Sequence, residues 1–419
     1  MVLQLENAKK YENGRIVPAE GVEIPSGVSA SVSSVLKGVP SSHSLLIMPG
    51  LADVHVHFRE PGFSYKETLF TGSRAAAHGG FTSVCTMPNL NPVPDNLNHL
   101  EEQTALIKRD ACIEILPFGS ITKGEKGQVL SDMDALAPFV AGFSDDGHGV
   151  ESEERMEDAM RQAKRLGKVI SAHCEVKSLS RDGVIHDGPR AAQFGLPGIN
   201  SESEWREVER DIRLAARTGC SFHVCHVSTK ESVALIQEAQ KAGLDVSAET
   251  CPHYLLLCDE DLKDRGNFKM NPPLRSKADR EALREAICQG VIRCVVTDHA
   301  PHSKAEKDGG LLHSLMGVVG LETSFPSLYT GLVKTGLISL EDLLDRMCLY
   351  PRARFGLETP DTGSSFTLFD LSEHAPVNPD TFLSKGRSTP FEGMDFYGKC
   401  LMTVYRGKIA YIRTSEATK

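Results

Sequence analysis

Two histidines that are two residues apart give the strongest chemical signal in the sequence. They lie in the segment Asp53-Val54-His55-Val56-His57-Phe58, where apolar residues alternate with polar ones. If this segment is a β-strand, both imidazoles share one face while the apolar side chains pack on the other. Two imidazoles on one strand face suit a single metal ion. A lone His-x-His pair also arises by chance, so the interpretation depends on the rest of the chain.

Further His and Asp residues follow apolar runs that are typical of strands. The carboxyl ends of parallel strands in a barrel meet at one face, so these residues would converge. Imidazole nitrogens with a bridging carboxylate favour Zn2+ or a similar borderline ion, and two such ions could share a hydroxide. We therefore predict one or two zinc ions per chain. The predicted metal ligands are His55, His57, Asp146 after the run 139–143, His173 after 169–172, His226 after 222–225, and Asp298 after 294–297.

Several other ligand-type residues favour structural roles. Asp145 stands beside Asp146, and a turn or helix-cap role is the simpler interpretation for it. His223 precedes His226 by three residues, so it should face away from that side chain and pack within its strand. The remaining histidines fall in predicted loops or helices, where surface or capping roles are expected: His43, His78, His99, His148, His186, His313 and His374.

The elements that would position these residues alternate short apolar runs with longer charged segments of helical period. The helical segments include Glu151 to Leu166, Glu202 to Arg217 and Ser276 to Cys288, with acidic residues in their first turns. Repeated units of this kind predict a (β/α)8 TIM-type barrel over residues 47–359, although a doubly wound open sheet gives similar local signals. The predicted strands lie near 47–57, 81–86, 112–118, 138–143, 168–172, 220–226, 244–250 and 291–297.

Both ends of the chain predict small antiparallel β structure. Residues 1–46 contain short alternating segments broken by Gly, Pro and Ser, including 22–25 and 28–32. Residues 360–419 contain similar segments at 365–371 and 400–411. The predicted fold class is therefore α/β, with a barrel and a small β domain formed by the N- and C-terminal segments.

Composition narrows the possible partners. The chain has 419 residues and a net charge of -10, which argues against a nucleic-acid or anionic-membrane partner, because both require a basic face. A small-molecule substrate fits better. Its 11 cysteines form no Cys-x-x-Cys pair and are predicted to be free thiols in a reducing compartment. Neither a signal peptide nor an apolar stretch of about 20 residues is evident, so a cytoplasmic location is expected.

Taken in order, the motifs resemble those of the amidohydrolase superfamily and, within it, the class I dihydroorotases. The resemblance covers nearly the whole chain, and His55-Val56-His57-Phe58-Arg59-Glu60-Pro61-Gly62 is its most specific motif. One departure is Leu90, where the family motif usually continues with Thr, and this leaves the local turn open. The other motifs are Met87-Pro88-Asn89, Phe143-Ser144-Asp145-Asp146-Gly147, His226-Val227-Ser228-Thr229, Glu249-Thr250-Cys251-Pro252-His253-Tyr254, Asn271-Pro272-Pro273-Leu274-Arg275 and Asp298-His299-Ala300-Pro301-His302.

This resemblance implies the reversible cyclisation of N-carbamoyl-L-aspartate to (S)-dihydroorotate and water, the ring-closing step of pyrimidine (UMP) biosynthesis. It implies the metal ligands named above and sets Arg59, Asn89, Asn271 and His302 against the substrate. Arg59, two residues beyond His57 on the same predicted face, offers a fork of donors that suits a substrate carboxylate. The two amides can match the ring C=O and N–H, although turn roles beside proline stay open for them.

The hypothesised mechanism makes Asp298 the general acid and base. A hydroxide activated by the metal attacks the ring carbonyl, and Asp298 passes its proton to the leaving nitrogen. Many relatives bridge their metals with a lysine carboxylated by CO2, but the predicted fourth strand contains no lysine, so Asp146 is the predicted bridge. The segment 303–312 is predicted to be either a mobile lid or a plain solvated loop.

Two alternative functions stay open at this point. One is a related cyclic amidohydrolase of the hydantoinase, dihydropyrimidinase or allantoinase type, whose substrates do not present the carboxylate that Arg59 would bind. The other is a non-catalytic partner of aspartate transcarbamoylase, which should lack the metal ligands that this chain keeps. A homodimer is the expectation for the family, and the sequence leaves association with aspartate transcarbamoylase open.

Overall fold

The structure, a computed structural model, describes residues 2–4, 7–12, 14–19, 21–23, 25, 27–359 and 363–414. Its centre is a ring of parallel strands. The ring closes between its last and first strands, where Val56 bridges His299 and the His57 amide donates to the His299 carbonyl at 2.8 Å. The strands in ring order are Leu51–Val56, Phe81–Thr86, Glu114–Pro117 with Gly119–Ser120, Gly142–Ser144, Val169–Ala172, Phe222–Val224, Val246–Thr250 and Cys294–Val295.

Helices follow the strands and cover the outside of the ring. Among the described residues, none of them combines the length and the apolar character that crossing a bilayer requires. The α-helices are Ser29–Leu36, Leu69–His78, Leu97–Asp110, Met133–Leu136, Glu153–Leu166, Lys177–Ser180, Pro189–Phe194, Glu202–Thr218, Lys230–Lys241, Pro252–Leu256, Lys277–Gln289, Lys304–Lys307, Gly310–His313, Ser324–Leu328, Leu340–Leu344 and Tyr350–Phe355. Shorter 3-10 turns are Lys123–Glu125, Ala137–Phe139, Asp259–Asp261, Gly266–Phe268 and Pro379–Thr381, and π-helical turns are Tyr329–Val333 and Asp345–Leu349.

The helix Lys277–Gln289 shows why these segments begin and end where they do. Ser276 caps it by accepting from the Asp279 amide at 3.3 Å, and the Asp279 carboxylate reaches back to the Ser276 amide at 3.2 Å. This reciprocal capping box satisfies backbone donors that the first turn leaves unpaired. Gly290 ends the helix with φ 74, a left-handed conformation that glycine adopts without a steric penalty. The predicted helix from Ser276 to Cys288 is confirmed.

The two ends of the chain meet in one six-stranded sheet beside the barrel. A separate small core, which includes Val32, Ile47, Leu368 and Val404, packs against it. The predicted fold class, a barrel with a small β domain from both termini, is confirmed. The domain boundaries at 46/47 and 359/360 stay predictions, and residues 1, 5, 6, 13, 20, 24, 26, 360–362 and 415–419 of the predicted β domain lie outside the described residues. The strands in sheet order are Lys408–Ile412, Asp395–Tyr405, Phe366–Pro376, Leu45–Met48, Ala8–Glu12 and Arg15–Pro18. Two further pairs are Val2–Gln4 with Gly21–Glu23 and Ile185–His186 with Gly198–Ile199.

The predicted strand at 28–32 is wrong, because this segment opens the helix Ser29–Leu36. Its alternation of Val with Ser and Ala fits a strand, but Val28 and Val32 are also four residues apart. Both are buried, at 2% and 1% exposure, on one side of the helix. The helical period therefore accounts for the same residues.

Two predicted barrel strands have different bounds. The run 47–57 is divided at Pro49-Gly50 into Leu45–Met48, which joins the terminal sheet, and Leu51–Val56, which joins the barrel. A Cβ at Gly50 would lie 2.1 Å from the Thr82 side chain, so the chain can turn closely there only with glycine. The run 138–143 begins instead as the 3-10 turn Ala137–Phe139, and its strand starts only at Gly142. Pro138 explains the delay, because proline cannot donate to a strand ladder.

Candidate metal centre

Six predicted ligands converge at the carboxyl ends of five barrel strands. His55 lies within Leu51–Val56 and His57 directly after it, and the other four follow the ends of later strands. The carboxyl ends of the strands in a closed parallel barrel form one rim, so residues distant in sequence become neighbours. All six are at most 6% exposed: His55, His57, Asp146, His173, His226 and Asp298.

Asp146 is the common member of the cluster. Its Oδ1 lies 3.4 Å from His55 Nε2 and 3.5 Å from His226 Nε2, and its Oδ2 lies 3.4 Å from His57 Nε2. His173 Nδ1 is 3.9 Å from Oδ1. Two groups of metal-ligand type therefore share this carboxylate, His55 with His57 and His173 with His226.

Asp298 lies on the side of the first pair. Its Oδ1 is 3.1 Å from His57 Nε2 and 3.6 Å from His55 Nε2. Asp298 and His226 both have positive φ values, 47 and 32, which residues other than glycine seldom adopt. Such backbone conformations persist only where the surrounding structure enforces them, and they cluster at functional sites.

The site contains buried polar atoms that have no hydrogen-bond partner among the described residues. They are His55 Nε2, Asp146 Oδ1 and His226 Nδ1. Leaving such atoms unsatisfied costs roughly 1–3 kcal/mol each. A bound cation would supply a partner for His55 Nε2 and Asp146 Oδ1, and nitrogen and carboxylate donors in this arrangement match those of zinc sites. The residues present therefore fit a metal ion.

Electrostatics support the ionised form of Asp146. Burial acts to raise its pKa, but the neighbouring His55 and His226 hold that pKa well below its usual value. Burial likewise opposes the charged form of His55, whose pKa is nevertheless raised well above its usual value by Asp146 and Glu249. The pKa of Asp298 is also lowered against the effect of burial, first by the hydrogen bond from His57. Both carboxylates are therefore ionised at neutral pH.

Glu249 is a functional residue that the sequence did not single out as a site residue. Its Oε1 lies 2.5 Å from His55 Nδ1, and its Oε2 lies 3.0 Å from His223 Nε2. A carboxylate behind an imidazole fixes the ring and the tautomer that faces a metal. The sequence feature that indicates such a role is an acidic residue within an otherwise uncharged, buried strand, Val246–Thr250. His223 is buried and hydrogen-bonded to Ser247 at 2.7 Å, as predicted for a packed strand residue.

Arg59 is buried close to the cluster, but its side chain is not directed there by strand alternation, as the sequence predicted. The strand ends at Val56, and Arg59 has φ 59, so a turn rather than strand alternation directs its side chain. Its Nε donates to the Pro301 carbonyl at 3.3 Å. Within the described part of the chain, no carboxylate oxygen lies within the 4.0 Å ion-pair distance of this guanidinium. A buried guanidinium without a counter-ion suits an anionic ligand.

The other predicted substrate contacts already have protein partners. Asn89 Oδ1 lies 2.8 Å from His57 Nδ1, and Asn271 Nδ2 donates to Glu175 Oε2 at 3.2 Å. Asn89 therefore orients a predicted ligand, and its amide nitrogen stays available to a substrate. His302 Nε2 lies 2.7 Å from the Met316 carbonyl.

The neighbouring residues with open interpretations are now accounted for. Asp145 accepts from the Ile121 and Thr122 amides at 2.8 and 3.0 Å, so it braces a loop and faces away from the histidines.

The segment 303–312 is no plain loop, because it contains the helix Lys304–Lys307 and enters Gly310–His313. Two histidines assigned to loops or helices lie in strands instead, His186 in Ile185–His186 and His374 in Phe366–Pro376.

Comparisons with known proteins agree with this geometry. A family model described as dihydro-orotase-like matches residues 44–232. The chain is similar to a dihydroorotase of Fusobacterium nucleatum, with 46% identity over 394 residues and 93% of each chain covered. It is also similar to a dihydroorotase of Enterococcus faecalis, with 48% identity over 377 residues and 88% of each chain covered. An L-hydantoinase (dihydropyrimidinase) from Arthrobacter aurescens shares the fold, with a TM-score of 0.80 at 23% identity over 98% of this chain and 96% of its own.

Proposed function

The chain belongs to the dihydroorotase family of cyclic amide hydrolases, and on that premise we propose that it interconverts N-carbamoyl-L-aspartate and (S)-dihydroorotate in pyrimidine (UMP) biosynthesis. The observation that carries the proposal is the buried guanidinium of Arg59 beside the His/Asp cluster, which has no ion-pair partner among the described residues. Both compounds carry a carboxylate that takes no part in the reaction, on the carbon that one CH2 group separates from the carbonyl of the amide that forms or breaks. A fork of guanidinium donors binds such a group in two places at once, which fixes the orientation of the ring.

The metal set of this proposal is His55, His57, Asp146, His173, His226 and Asp298. Zinc, with one or two ions per chain, matches these imidazole and carboxylate donors. Asp146 is the proposed bridge, since its two oxygens face imidazoles from both groups. When bound, zinc would polarise the amide carbonyl and activate a water molecule.

The protein side chains supply orientation and proton transfer. Arg59 holds the substrate carboxylate, while the amide groups of Asn89 and Asn271 offer donors and acceptors to the ring. Asp298, which is ionised because its pKa is lowered, accepts a proton from the attacking water and delivers it to the ring nitrogen that leaves. Ring closure uses the same residues, with the proton transfers in the opposite direction. Glu249 keeps the imidazole of His55 in one orientation throughout.

Arg59 also weighs against the first alternative. A hydantoinase, dihydropyrimidinase or allantoinase acts on a ring without this carboxylate, and such a substrate would leave the buried guanidinium without a counter-ion. A non-catalytic partner of aspartate transcarbamoylase has no need for metal ligands, whereas this chain keeps two groups of His and Asp side chains that could hold a metal ion.

Turnover of the purified protein tests the proposal directly. We expect hydrolysis of dihydroorotate at alkaline pH and its formation from N-carbamoyl-L-aspartate at acidic pH. A parallel assay with hydantoin, 5,6-dihydrouracil and allantoin serves as the comparison. Preference for any of these neutral rings over dihydroorotate would contradict the proposal.

Association and location form a separate part of the proposal. We propose a cytoplasmic homodimer, which is able to associate with aspartate transcarbamoylase. All 11 cysteines are free thiols, and most are buried, which suits a reducing compartment. Light scattering of the protein alone and mixed with aspartate transcarbamoylase tests the association, with a monomeric mass as the contradicting result. Cell fractionation tests the location.

A further inference from the structure

His223 and Glu249 form a buried contact inside the barrel. His223 lies in the sixth strand of the ring, Phe222–Val224, and Glu249 lies in the seventh, Val246–Thr250. Nε2 of His223 is 3.0 Å from Oε2 of Glu249, and its Nδ1 is 2.7 Å from the hydroxyl of Ser247. All three side chains are at most 2% exposed. Each polar atom therefore depends on a protein partner for its hydrogen bond.

Glu249 also contacts one residue from each of the two groups of predicted metal ligands. Its Oε1 lies 2.5 Å from Nδ1 of His55 and accepts from the backbone amide of His226 at 3.4 Å. This amide belongs to a residue with a positive φ of 32, a conformation that the surrounding structure must enforce. The orientation of one carboxylate therefore affects a ligand side chain of the first group and the ligand backbone of the second.

The hydrogen bonds of His223 determine its tautomer. Burial lowers the pKa of this imidazole, although the hydrogen bond with Glu249 acts in the opposite direction, and the neutral ring carries one N–H. Burial acts to raise the pKa of Glu249, but His55 and His223 hold that pKa below its usual value. The ionised carboxylate can only accept, so Nε2 of His223 carries the proton and Nδ1 accepts from Ser247.

We propose that His223 is a positioning residue for the metal centre, because its Nε2–H anchors Oε2 of Glu249 and so keeps Oε1 in contact with both ligand groups. The inference deepens the proposed function and rests on its zinc centre. Partners behind a metal-binding histidine affect metal affinity because they fix the orientation and the tautomer of the ring. His223 acts one step further back, on the carboxylate that performs this role for His55.

The anchor matters because Oε2 of Glu249 has no substitute for it. Within the described part of the chain, the hydrogen bond from His223 is the only one that this oxygen accepts. A buried carboxylate oxygen that loses its donor carries a large desolvation cost. The carboxylate would then turn toward another donor or take up a proton, and either change would weaken its contact with His55.

Zinc titration of the full-length, metal-depleted chain in competition with a chelator tests the inference without an assay of activity. We expect His223→Leu to weaken zinc affinity about 10-fold, the lower end of the effects of outer partners. His223→Gln places an amide N–H near the position of Nε2, and its affinity should stay within about threefold of the parent. The matched control is Thr403→Val, which removes a buried hydrogen bond to the Ala77 carbonyl in the terminal sheet and should leave zinc affinity unchanged.

A double-mutant cycle with Glu249→Gln separates positioning from a general structural effect. If His223 acts through Glu249, His223→Leu should weaken zinc affinity by less than about twofold once Glu249 is already replaced. Equal losses in the two backgrounds would overturn the inference. So would an unchanged zinc affinity in a His223→Leu protein with the circular dichroism spectrum of the parent.

Nitrogen chemical shifts of labelled histidine provide a second readout, which uses the unmodified chain and holds even if His223→Leu does not fold. With the signal assigned by its loss in His223→Gln, we expect an Nε2–H ring for His223 in the metal-free and the zinc-loaded protein. An Nδ1–H ring could not donate to Glu249 and would overturn the inference. If the parent binds zinc as expected but does not turn over dihydroorotate, only the proposed substrate fails. A parent that binds no zinc would contradict both the proposed metal centre and the role of His223.

Discussion

The Nδ1 atom of His55 lies 2.5 Å from Oε1 of Glu249, although the two residues are 194 positions apart in the chain. Both side chains are fully buried. The contact leaves only Nε2 of His55 to face the carboxylate of Asp146. The ring orientation of one predicted ligand is therefore determined by a strand two positions away in the barrel, and this makes Glu249 a direct target for mutation.

We expect Glu249→Gln to weaken zinc affinity by roughly 10- to 100-fold, the usual effect of removing a carboxylate behind a metal-binding histidine. The amide has nearly the same shape, so the protein should still fold. Competition with a chelator measures the affinity, and circular dichroism checks the fold. Glu114→Gln is the control, because Glu114 begins its strand at the opposite end of the barrel. Unchanged affinity in Glu249→Gln would show that His55 needs no such support.

Arg59→Met should lower kcat/KM on dihydroorotate by about 10- to 150-fold, as expected for about 1.5–3 kcal/mol of charged hydrogen bonding. Of the groups on the substrate, the guanidinium would contact only the carboxylate, so kcat/KM for a cyclic imide that lacks this group should fall much less. Parallel kinetics on both substrates measures the difference. Equal losses would mean that the substitution damages the site as a whole.

For Asp298→Asn, we expect normal folding and most of the metal binding, with turnover reduced by roughly 10²–10⁴-fold. The amide cannot accept the proton of the attacking water, whereas its oxygen can still face His57. Turnover and metal content are measured on the same preparation. Activity within about tenfold of the parent would exclude Asp298 as the general base.

Asp145 and Asp146 form a matched pair for testing the metal bridge. Asp146→Ala should lose most metal binding and activity, because its oxygens face both groups of histidines. Asp145→Ala should keep more of both and lose stability instead, since Asp145 braces the Ile121 and Thr122 amides. Metal analysis and thermal unfolding of the two variants separate these effects.

Because the proposed bridge is the carboxylate of Asp146 rather than a carboxylated lysine, we expect activity that does not depend on bicarbonate. The strand Gly142–Ser144 contains no lysine, and both Lys123 and Lys126 are exposed. Activity should therefore be equal in bicarbonate-free and bicarbonate-supplemented buffer. A carbamate on any lysine at the metals, seen in electron density, would contradict this assignment.

The convergence of His55 and Asp146 was predictable from sequence because two simple rules suffice. Strand alternation gives the direction of a side chain, and barrel closure brings all carboxyl ends to one rim. The pairing of His55 with Glu249 was not predictable, since it joins two strands that are not adjacent in the ring and depends on how their side chains meet inside the barrel. The direction of Arg59 was not either, because it depends on a positive φ beyond the end of the strand.

Contacts between loops were the hardest to predict from the sequence. Lys66 meets His302 only because two loops of irregular conformation meet at the rim, and no periodicity reports such an approach. The helix at 29–36 shows the same limit at the level of secondary structure. Its Val and Ser residues fit two periods, and burial of Val28 and Val32 on one side decides between them.

The most direct test of the central claim is a zinc titration of the metal-depleted protein, with dihydroorotate hydrolysis as the readout. We expect no measurable turnover in the depleted protein, and full recovery as one or two equivalents of zinc per chain bind to the cluster around Asp146. His55→Ala with His57→Ala should fail to recover at the same zinc concentrations. Full turnover in the metal-depleted protein would contradict the account.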